Sequence, residues 1–520
     1  MCIKCVILKY HASYAGLMAK ILPKTQPRVL LVKPADRFLG AEFVYSQLGP
    51  NYLQSFLKEN GIDSDLLVLY EPDTVRKERE AGLDEERLDQ LRMLHLKADG
   101  TSQDIGFEPQ LFAGYDIVGL SVMTPQAPDA YRLSALLNEH FPRLTTVIGG
   151  SHARYYRDEV LNLDDRVRFD FVVPQDGWKP MLDIVTGAVV PAEKAVELSD
   201  KMVKLTDLPA PTRPLALMQR YDFGIGGVPA WHTITALGCP FSCNFCESAY
   251  ENVRPFSEEM LRRDLETMAQ AHRDLGHEKY GLMIFDDVGL MNPRQVENLS
   301  RLVKETGFST WRAFTHAFLV KKFGEDLLGP FVATGGERVG IGLETGSQFT
   351  LDLINKRNGQ KQFVEEHYEA VGIANRLGVA VDGFTMIYPF ENEGDLQDTT
   401  KMLRWIAGNE VKGIDAAGRP RQNHMDATIM APYRGTPFRA IFEELEDAKA
   451  PETSALLKSF NGEQIARLSN VRLKRNLDPG QMWYKGKSGS SGWPYAATVL
   501  PRERYEEEQK LRNSMRPKYR

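Results

Sequence analysis

The chain has 520 residues, 42% hydrophobic and 26% charged, which is ordinary globular composition. A formal net charge of −6 argues against a nucleic-acid surface as its main business, and no uninterrupted apolar run is long enough to span a bilayer. Five cysteines in this length fit a reducing compartment, so the cytoplasm is the expected location.

Residues 1–25 read as a leader. They lack acidic groups and carry Lys4, Lys9 and Lys20, but Lys9 and His11 interrupt any apolar core of the kind a secretory signal needs. Cys2 and Cys5 form a CxxC there, readable as a redox or metal pair or as part of a disordered leader.

Residues 26–190 alternate strand and helix. The β-branched run 28–32 ends at Lys33-Pro34, a buried-strand pattern. Gly49-Pro50 opens a helix that Asn60-Gly61 stops. A strand at Leu66–Leu69, a charged helical insertion over 74–95 and a strand over 116–121 follow. Next come a helix from Ala127 to His140, the strand and loop Thr146–His152, and a strand at Phe169–Val173. This order predicts a doubly wound parallel sheet of Rossmann-like type. Ligands in such sheets sit outside the carboxyl ends of the strands, which places Lys33–Arg37, Ser121–Pro125, Gly149–His152 and Pro174–Trp178 on one rim.

Residues 191–228 read as a linker, because Leu208-Pro209-Ala210-Pro211-Thr212-Arg213-Pro214 cannot lie inside a helix or central strand. Over 229–445 strand and helix alternate six times. The expected strands are Thr233–Leu237, Leu282–Phe285, Ser309–Phe314, Arg338–Leu343, Ala380–Ile387 and Ala427–Met430. Six such units predict a partial (β/α)6 barrel, with function at the carboxyl ends of its strands. Residues 446–520 read as a small α-rich extension, a substrate-side cap followed by a solvated end. Trp483, Tyr484 and Trp493 are candidates to close a cavity or to pack on the barrel.

The densest chemistry lies in Cys239-Pro240-Phe241-Ser242-Cys243-Asn244-Phe245-Cys246. Three thiolates spaced C-x3-C-x2-C can hold three irons of a cubane and leave the fourth without a protein ligand, whereas ferredoxin-type clusters use four cysteines. Zinc would want a fourth ligand, and His232 is the only nearby histidine. On spacing alone, zinc and chance stay as alternatives.

This run resembles the signature of the radical S-adenosylmethionine (SAM) enzymes. The resemblance implies a 4Fe–4S cluster on Cys239, Cys243 and Cys246, with SAM chelating the open iron and Phe245 against its adenine. Other segments match that family in order. Asp286-Asp287 stands where acceptors for the SAM amino group are expected, and Arg312 is a candidate partner of the SAM carboxylate or a rim ion pair. Gly340-Ile341-Gly342-Leu343-Glu344-Thr345-Gly346-Ser347 is close to G-x-G-x-E-x-G-S, with Glu344 the expected acceptor for the ribose hydroxyls. Ala431-Pro432-Tyr433-Arg434-Gly435-Thr436-Pro437 is similar to the family's segment after the last strand. Tyr388 and Phe390 replace glycines of the family pattern and are expected to line the substrate cavity.

The first domain resembles the cobalamin-binding domain that precedes many radical SAM cores. That implies a corrinoid site involving Ser121, Thr124, Gly149, Gly150, Ser151 and His152, with His152 near the nucleotide tail rather than on cobalt. The chain has no Asp-x-His-x-x-Gly run, and Pro174-Gln175-Asp176-Gly177-Trp178 stands where relatives carry Gly-Glu-Gly-Glu. Together the resemblances imply methylation of an unactivated carbon of a small-molecule or natural-product substrate, through a 5′-deoxyadenosyl radical and methylcobalamin. Radical cyclisation, oxidation or rearrangement is the alternative. An external electron donor of flavodoxin or ferredoxin type is the expected partner.

Overall fold

The computed structural model describes residues 27–37, 42–80, 87–199, 203–249, 251–357, 359–447, 457–474 and 493–515. The expected leader, its CxxC pair, and Trp483 and Tyr484 lie outside the described residues. The described chain forms two compact units that divide between Asp222 and Phe223.

The first unit is built on an eight-stranded sheet. Its strands in chain order are β1 (Val29–Lys33), β2 (Ser64–Tyr70), β3 (Arg92–Leu96), β4 (Ser102–Gly106), β5 (Ile117–Ser121), β6 (Thr145–Gly149), β7 (Phe171–Val173) and β8 (Val196–Glu197). The spatial order is β4-β3-β2-β1-β5-β6-β7-β8. Strands β2, β1, β5, β6, β7 and β8 run parallel, and Leu31 at the centre pairs with Leu66 on one side and Gly119 on the other. All five residues of β1 are buried, as expected of a parallel strand covered on both faces. Helices α1 (Leu48–Glu59), α2 (Ala127–His140) and α3 (Trp178–Val185) accompany the sheet. In α2 the residues Ala130, Leu133, Ser134 and Leu137 are buried, the spacing of a single helix face.

Two expectations are corrected here. Among the described residues of the charged helical insertion expected over 74–95, α-helix covers Asp73–Glu80, which buries nothing, and a 3-10 turn covers Leu88–Gln90. The insertion ends in β3, antiparallel to both β2 and β4. The apolar run Met93-Leu94-His95-Leu96 is buried by that pairing, and the charges upstream mask it in the sequence. Second, the proline-rich stretch expected as a linker lies along the first unit. Thr212 donates from its backbone to Asn51 O at 3.2 Å and from its hydroxyl to Gln54 Oε1 at 2.9 Å, and β8 adds a strand to the sheet.

The second unit carries a seven-stranded sheet. Its strands are β9 (Gly224–Ile225), β10 (Val228–Thr233), β13 (Gly281–Ile284), β14 (Thr310–Thr315), β15 (Gly336–Glu344), β16 (Ala380–Ile387) and β17 (His424–Ile429), in the order β17-β16-β15-β14-β13-β10-β9. All neighbours are parallel except β9, which is antiparallel to β10 at one edge. A separate ribbon pairs β11 (Ala236–Leu237) with β12 (Arg254–Pro255). The strand expected over 233–237 is thereby corrected, since the sheet strand ends at Thr233 and the ribbon brackets the cysteine loop. Gly238, at φ 88°, makes the ribbon possible, because a Cβ there would lie 2.3 Å from Asn252 O.

Helices follow the strands. Among them are α4 (Glu258–Asp274), α5 (Pro293–Thr306), α6 (Gln348–Ile354), α7 (Glu365–Arg376), α8 (Glu393–Gly408), α9 (Pro437–Asp447) and α10 (Arg502–Ser514). Their starts obey capping chemistry: Ser257, Asn292, Ser347 and Asn392 each accept a backbone N–H three residues on. Helix α10 replaces part of the expected solvated end. Its Tyr505 and Arg512 are fully buried, and Asn513 pairs its side-chain amide with both the N–H and the C=O of Ala427 on β17. An edge strand leaves such groups open, and this helix satisfies them. Trp493 is buried too, in the apolar cluster around Tyr495 and Tyr505.

Candidate active site and a glycine-lined slot

The cysteine loop leaves the sheet at the carboxyl end of β10 and is tied down by both its polar residues and its two phenylalanines. Asn244 donates from its backbone to Ile354 O at 2.9 Å and from its side chain to Leu353 O at 2.7 Å, and its own carbonyl accepts from Phe438 N at 2.8 Å. Ser242 Oγ reaches Asn355 O at 2.9 Å. The loop is therefore seated on the end of α6 and the start of α9. Phe241 packs on His316, ring centroids 4.5 Å apart, at the end of β14.

The three cysteines are free thiols of intermediate exposure. Burial raises all three thiol pKa values, that of Cys246 to about 12. Among the described residues no three metal-ligating side chains converge on one point. A cubane gives each thiolate its own iron, whereas a zinc would share one centre among them.

Glu344 closes β15 with φ 63°, a left-handed conformation rare for a side chain larger than glycine and costly outside functional sites. The β15–β16 register slips at the same point, between Gly342 and Glu344. Lys356 holds the carboxylate at 3.0 Å while being only 4% exposed itself. Its charge also lowers the Cys239 and Cys243 pKa values against burial. Sequence reasoning missed Lys356. The turn that delivers it is centred on Asn355, itself at φ 51°, and an Asn-Lys pair closing a helix is the only signal available.

Other expected residues fall differently. Asp286 is buried and committed: it accepts the backbone N–H of Thr235 at 2.6 Å and the Thr235 hydroxyl. It ties the ribbon to the end of β13 and is not a free acceptor for an amine, and burial pushes its pKa up to about 7. Asp287 is exposed, hydrogen-bonded to Ser248, and its charge acts on Cys239 and Cys246. Arg312 lies in mid-strand, paired with Asp382 at 2.6 Å, and Arg338 shares the same carboxylate. Of the two readings offered for it, the ion pair holds, because β14 continues three residues beyond it. Phe245 is half-buried, 6.2 Å from the Tyr388 ring. Tyr388 and Phe390, expected at a cavity wall, are fully buried and stacked with Phe438 beside them.

In the first unit a slot of about 180 Å³ opens at the carboxyl ends of β5, β6 and β7, with Leu31 of β1 in its wall. Ser121, Gly149 and Gly150 line it with Gly49, Gly119, Gln175, Asp176, Trp178 and Met181. A Cβ at Gly119 would meet Leu31 and Met181 at 3.3–3.4 Å, and one at Gly150 (φ 92°) would lie 2.6 Å from Val122 O. The slot thus exists because of its glycines. Thr124 and His152 are not among its lining residues. His152 is 1% exposed, bonded to the Tyr131 hydroxyl at 2.7 Å and stacked on Tyr156. Ser151 starts the short helix behind the slot. Gly49, Gly119 and Met181 were not singled out from sequence, since a cavity wall has no local signature.

A parallel α/β unit with a three-cysteine loop at a strand's carboxyl end defines a cluster-bearing class of enzyme. Residues 233–403 match the family model of the Radical SAM superfamily, a domain that implies a 4Fe–4S cluster and SAM. The chain is 24% identical over 399 residues to an uncharacterized methyltransferase of Pyrococcus horikoshii, covering 71% of this chain and 81% of that one. It is also 24% identical over 366 residues to the anaerobic magnesium-protoporphyrin IX monomethyl ester cyclase of Rubrivivax gelatinosus, covering 64% of this chain and 59% of that one. Its fold is shared with the cobalamin-dependent S-adenosylmethionine radical enzyme OxsB, solved with aqua-cobalamin and S-adenosylmethionine bound. That match has a TM-score of 0.63 and 15% identity, over 94% of this chain and 66% of that structure. Among the described residues no helix is long and apolar enough to cross a membrane.

Proposed function

We propose that the protein is a cobalamin-dependent radical SAM methyltransferase acting on an unactivated carbon of a small-molecule substrate in the cytoplasm, with a flavodoxin- or ferredoxin-type electron donor. The carrying observation is the glycine-built slot at the carboxyl edge of the first sheet, in the same chain as the three-cysteine loop. A slot of that shape at a parallel sheet's carboxyl edge suits a nucleotide-like tail. We read the second sheet as the partial (β/α)6 barrel and the first as a Rossmann-like corrinoid domain. When bound, the cluster with SAM supplies hydrogen-atom abstraction and methylcobalamin supplies the methyl group.

The chain's residues do the placing. Cys239, Cys243 and Cys246 would hold three irons, and Phe245 would lie against the adenine. Glu344, paired with Lys356 at 3.0 Å, would accept the ribose hydroxyls. Asp287 is the available carboxylate for the SAM amino group, Asp286 being occupied by Thr235. Ser121, Gly149 and Gly150 would contact the corrinoid tail, with Gln175 and Asp176 supplying polar groups.

The relative named as a cyclase supports a second reading, radical ring closure without net methyl transfer. One experiment separates the two. The protein is reconstituted anaerobically with iron, sulfide and cobalamin, then assayed for metal content and for SAM cleavage. About four irons and one cobalt per chain, with a product heavier by one CH2, support methylation. Four irons with SAM cleavage but no cobalt retention overturn it in favour of the second reading.

A further inference from the structure

Alternation along its strands gives the second sheet two unlike faces. One face is packed. Trp231 stacks on His272 of α4 at 3.5 Å, and Trp311, Val339, Ile341 and Val381 have no exposed surface. The other face carries aromatic rings that the fold leaves open. Phe285, just past β13, is 41% exposed, and Phe314 of β14 and Phe384 of β16 are half-buried.

The three rings form a row. Phe285 and Phe314 lie 5.7 Å apart at 61°, and Phe314 and Phe384 lie 5.8 Å apart at 57°. Gly340 of β15 makes the row possible, because a Cβ there would overlap the Phe314 ring and lie 3.1 Å from Phe384 Cε2. Toward the amino ends of the strands the row is closed by ions, with Asp382 holding Arg312 and Arg338 at 2.6 Å each. Toward the carboxyl ends the same face leads to Gly342, where a Cβ would overlap Glu344 Oε1 and lie 3.1 Å from Lys356 Nζ. The row thus begins one step along β15 from the carboxylate assigned to the SAM ribose. A lone exposed phenylalanine needs no explanation, but a contiguous row beside a functional site does.

We propose that the substrate is a flat, unsaturated apolar ring compound that lies on this row, and that Phe285, Phe314 and Phe384 set that specificity. Phenyl rings fixed at a tilt present both π faces and edges, and these attract another flat ring beyond what burial of its area gives. A saturated, puckered ring of the same size gains the burial alone. The proposal rests on the assignment of Glu344 and the cysteine loop to SAM, which makes this the face on which a substrate must lie.

The test uses the full chain with its cluster reconstituted. Anaerobic equilibrium dialysis compares 2-naphthol, which is flat, with decahydro-2-naphthol, which has the same skeleton and hydroxyl but is puckered. Wild type is expected to bind 2-naphthol about 10-fold tighter. Phe285→Leu and Phe314→Leu should each weaken 2-naphthol by roughly 2- to 10-fold, the range of one aromatic pair, with decahydro-2-naphthol affinity and iron content unchanged. Phe363→Leu removes an exposed ring outside the row and should leave both affinities at wild-type values. Equal affinity for the two probes in wild type, including binding of neither, overturns the proposal. So does a parallel loss of both probes in the row variants, or an equal loss in Phe363→Leu. S-adenosylhomocysteine binding is measured on the same samples. Its retention without ring preference overturns the ring site alone, whereas ring preference without it overturns the SAM assignment and with it the claim that the ring is a substrate.

Discussion

Glu344 is the residue on which the site's geometry turns. It pays for a left-handed backbone, about 1–3 kcal/mol, and the structure holds it by charge pairing with Lys356 and by anchoring its neighbour. Thr345 Oγ1 bonds to Glu391 at 3.2 Å, and Gly346 N to Thr399 Oγ1 at 2.9 Å. Lys356→Met leaves a nearly buried carboxylate alone, and we expect a loss of about 3 kcal/mol in urea unfolding of the cluster-free protein. Each of Cys239→Ala, Cys243→Ala and Cys246→Ala is expected to lower bound iron from about four per chain to near zero after reconstitution. Asp286 and Glu391 set a pH dependence. Burial raises both carboxyl pKa values to about 7, so the folded state keeps protons that the unfolded chain gives up near pH 4. Their own contribution to stability should fall as pH rises from about 4 to about 7 and then level, while the buried His272, His316 and His367, whose pKa values burial lowers, contribute in the opposite sense. The difference in urea midpoint between wild type and Asp286→Asn isolates the Asp286 part and should shrink as pH rises across that range. The cysteines and Glu344 were legible in the sequence because their partners lie within a short motif. Lys356 was not, since a turn twelve residues downstream delivers it.

At the scale of elements, the strands that alternate with capped helices were readable, because burial on both faces writes continuous apolar runs into the chain. Strand β3 was not, its short apolar run following a stretch of charge. Nor was the β11–β12 ribbon, which depends on Gly238 passing close to Asn252 O. Helix α10 shows the same limit in another form. Its sequence is highly charged, as a solvated end would be, yet Arg512 is buried against Glu508 and the carbonyls of Met386 and Leu396. Asn513 closes the edge of β17. Asn513→Leu leaves the Ala427 N–H unmet, Gln509 still donating to the Ala427 carbonyl at 3.2 Å, and should cost about 1 kcal/mol. Hydrogen exchange at the Ala427 amide should quicken, which distinguishes edge opening from general loss of stability.

Over the whole molecule, the two units carry separate cofactor sites by this reading, and they should be separable by mutation. Gly119→Leu fills the slot from its floor, where even a Cβ would touch Leu31 and Met181. The variant should lose cobalt and retain about four irons per chain after reconstitution. Loss of both metals would show that the change unfolds more than its own unit. The sequence by itself determined the class of chemistry, because C-x3-C-x2-C and the Gly-x-Gly-x-Glu strand are local patterns whose spacing is their meaning. It also determined the succession of parallel strands, because their burial shows in composition. Only the tertiary structure decided which members of those patterns are free to act. It committed Asp286 to Thr235, Arg312 to Asp382 and His152 to the core, and it brought Lys356 to Glu344 and Gly119 to the lining of the slot. Those outcomes depend on contacts between residues far apart in the chain, and long-range contact leaves no periodic or local trace to read.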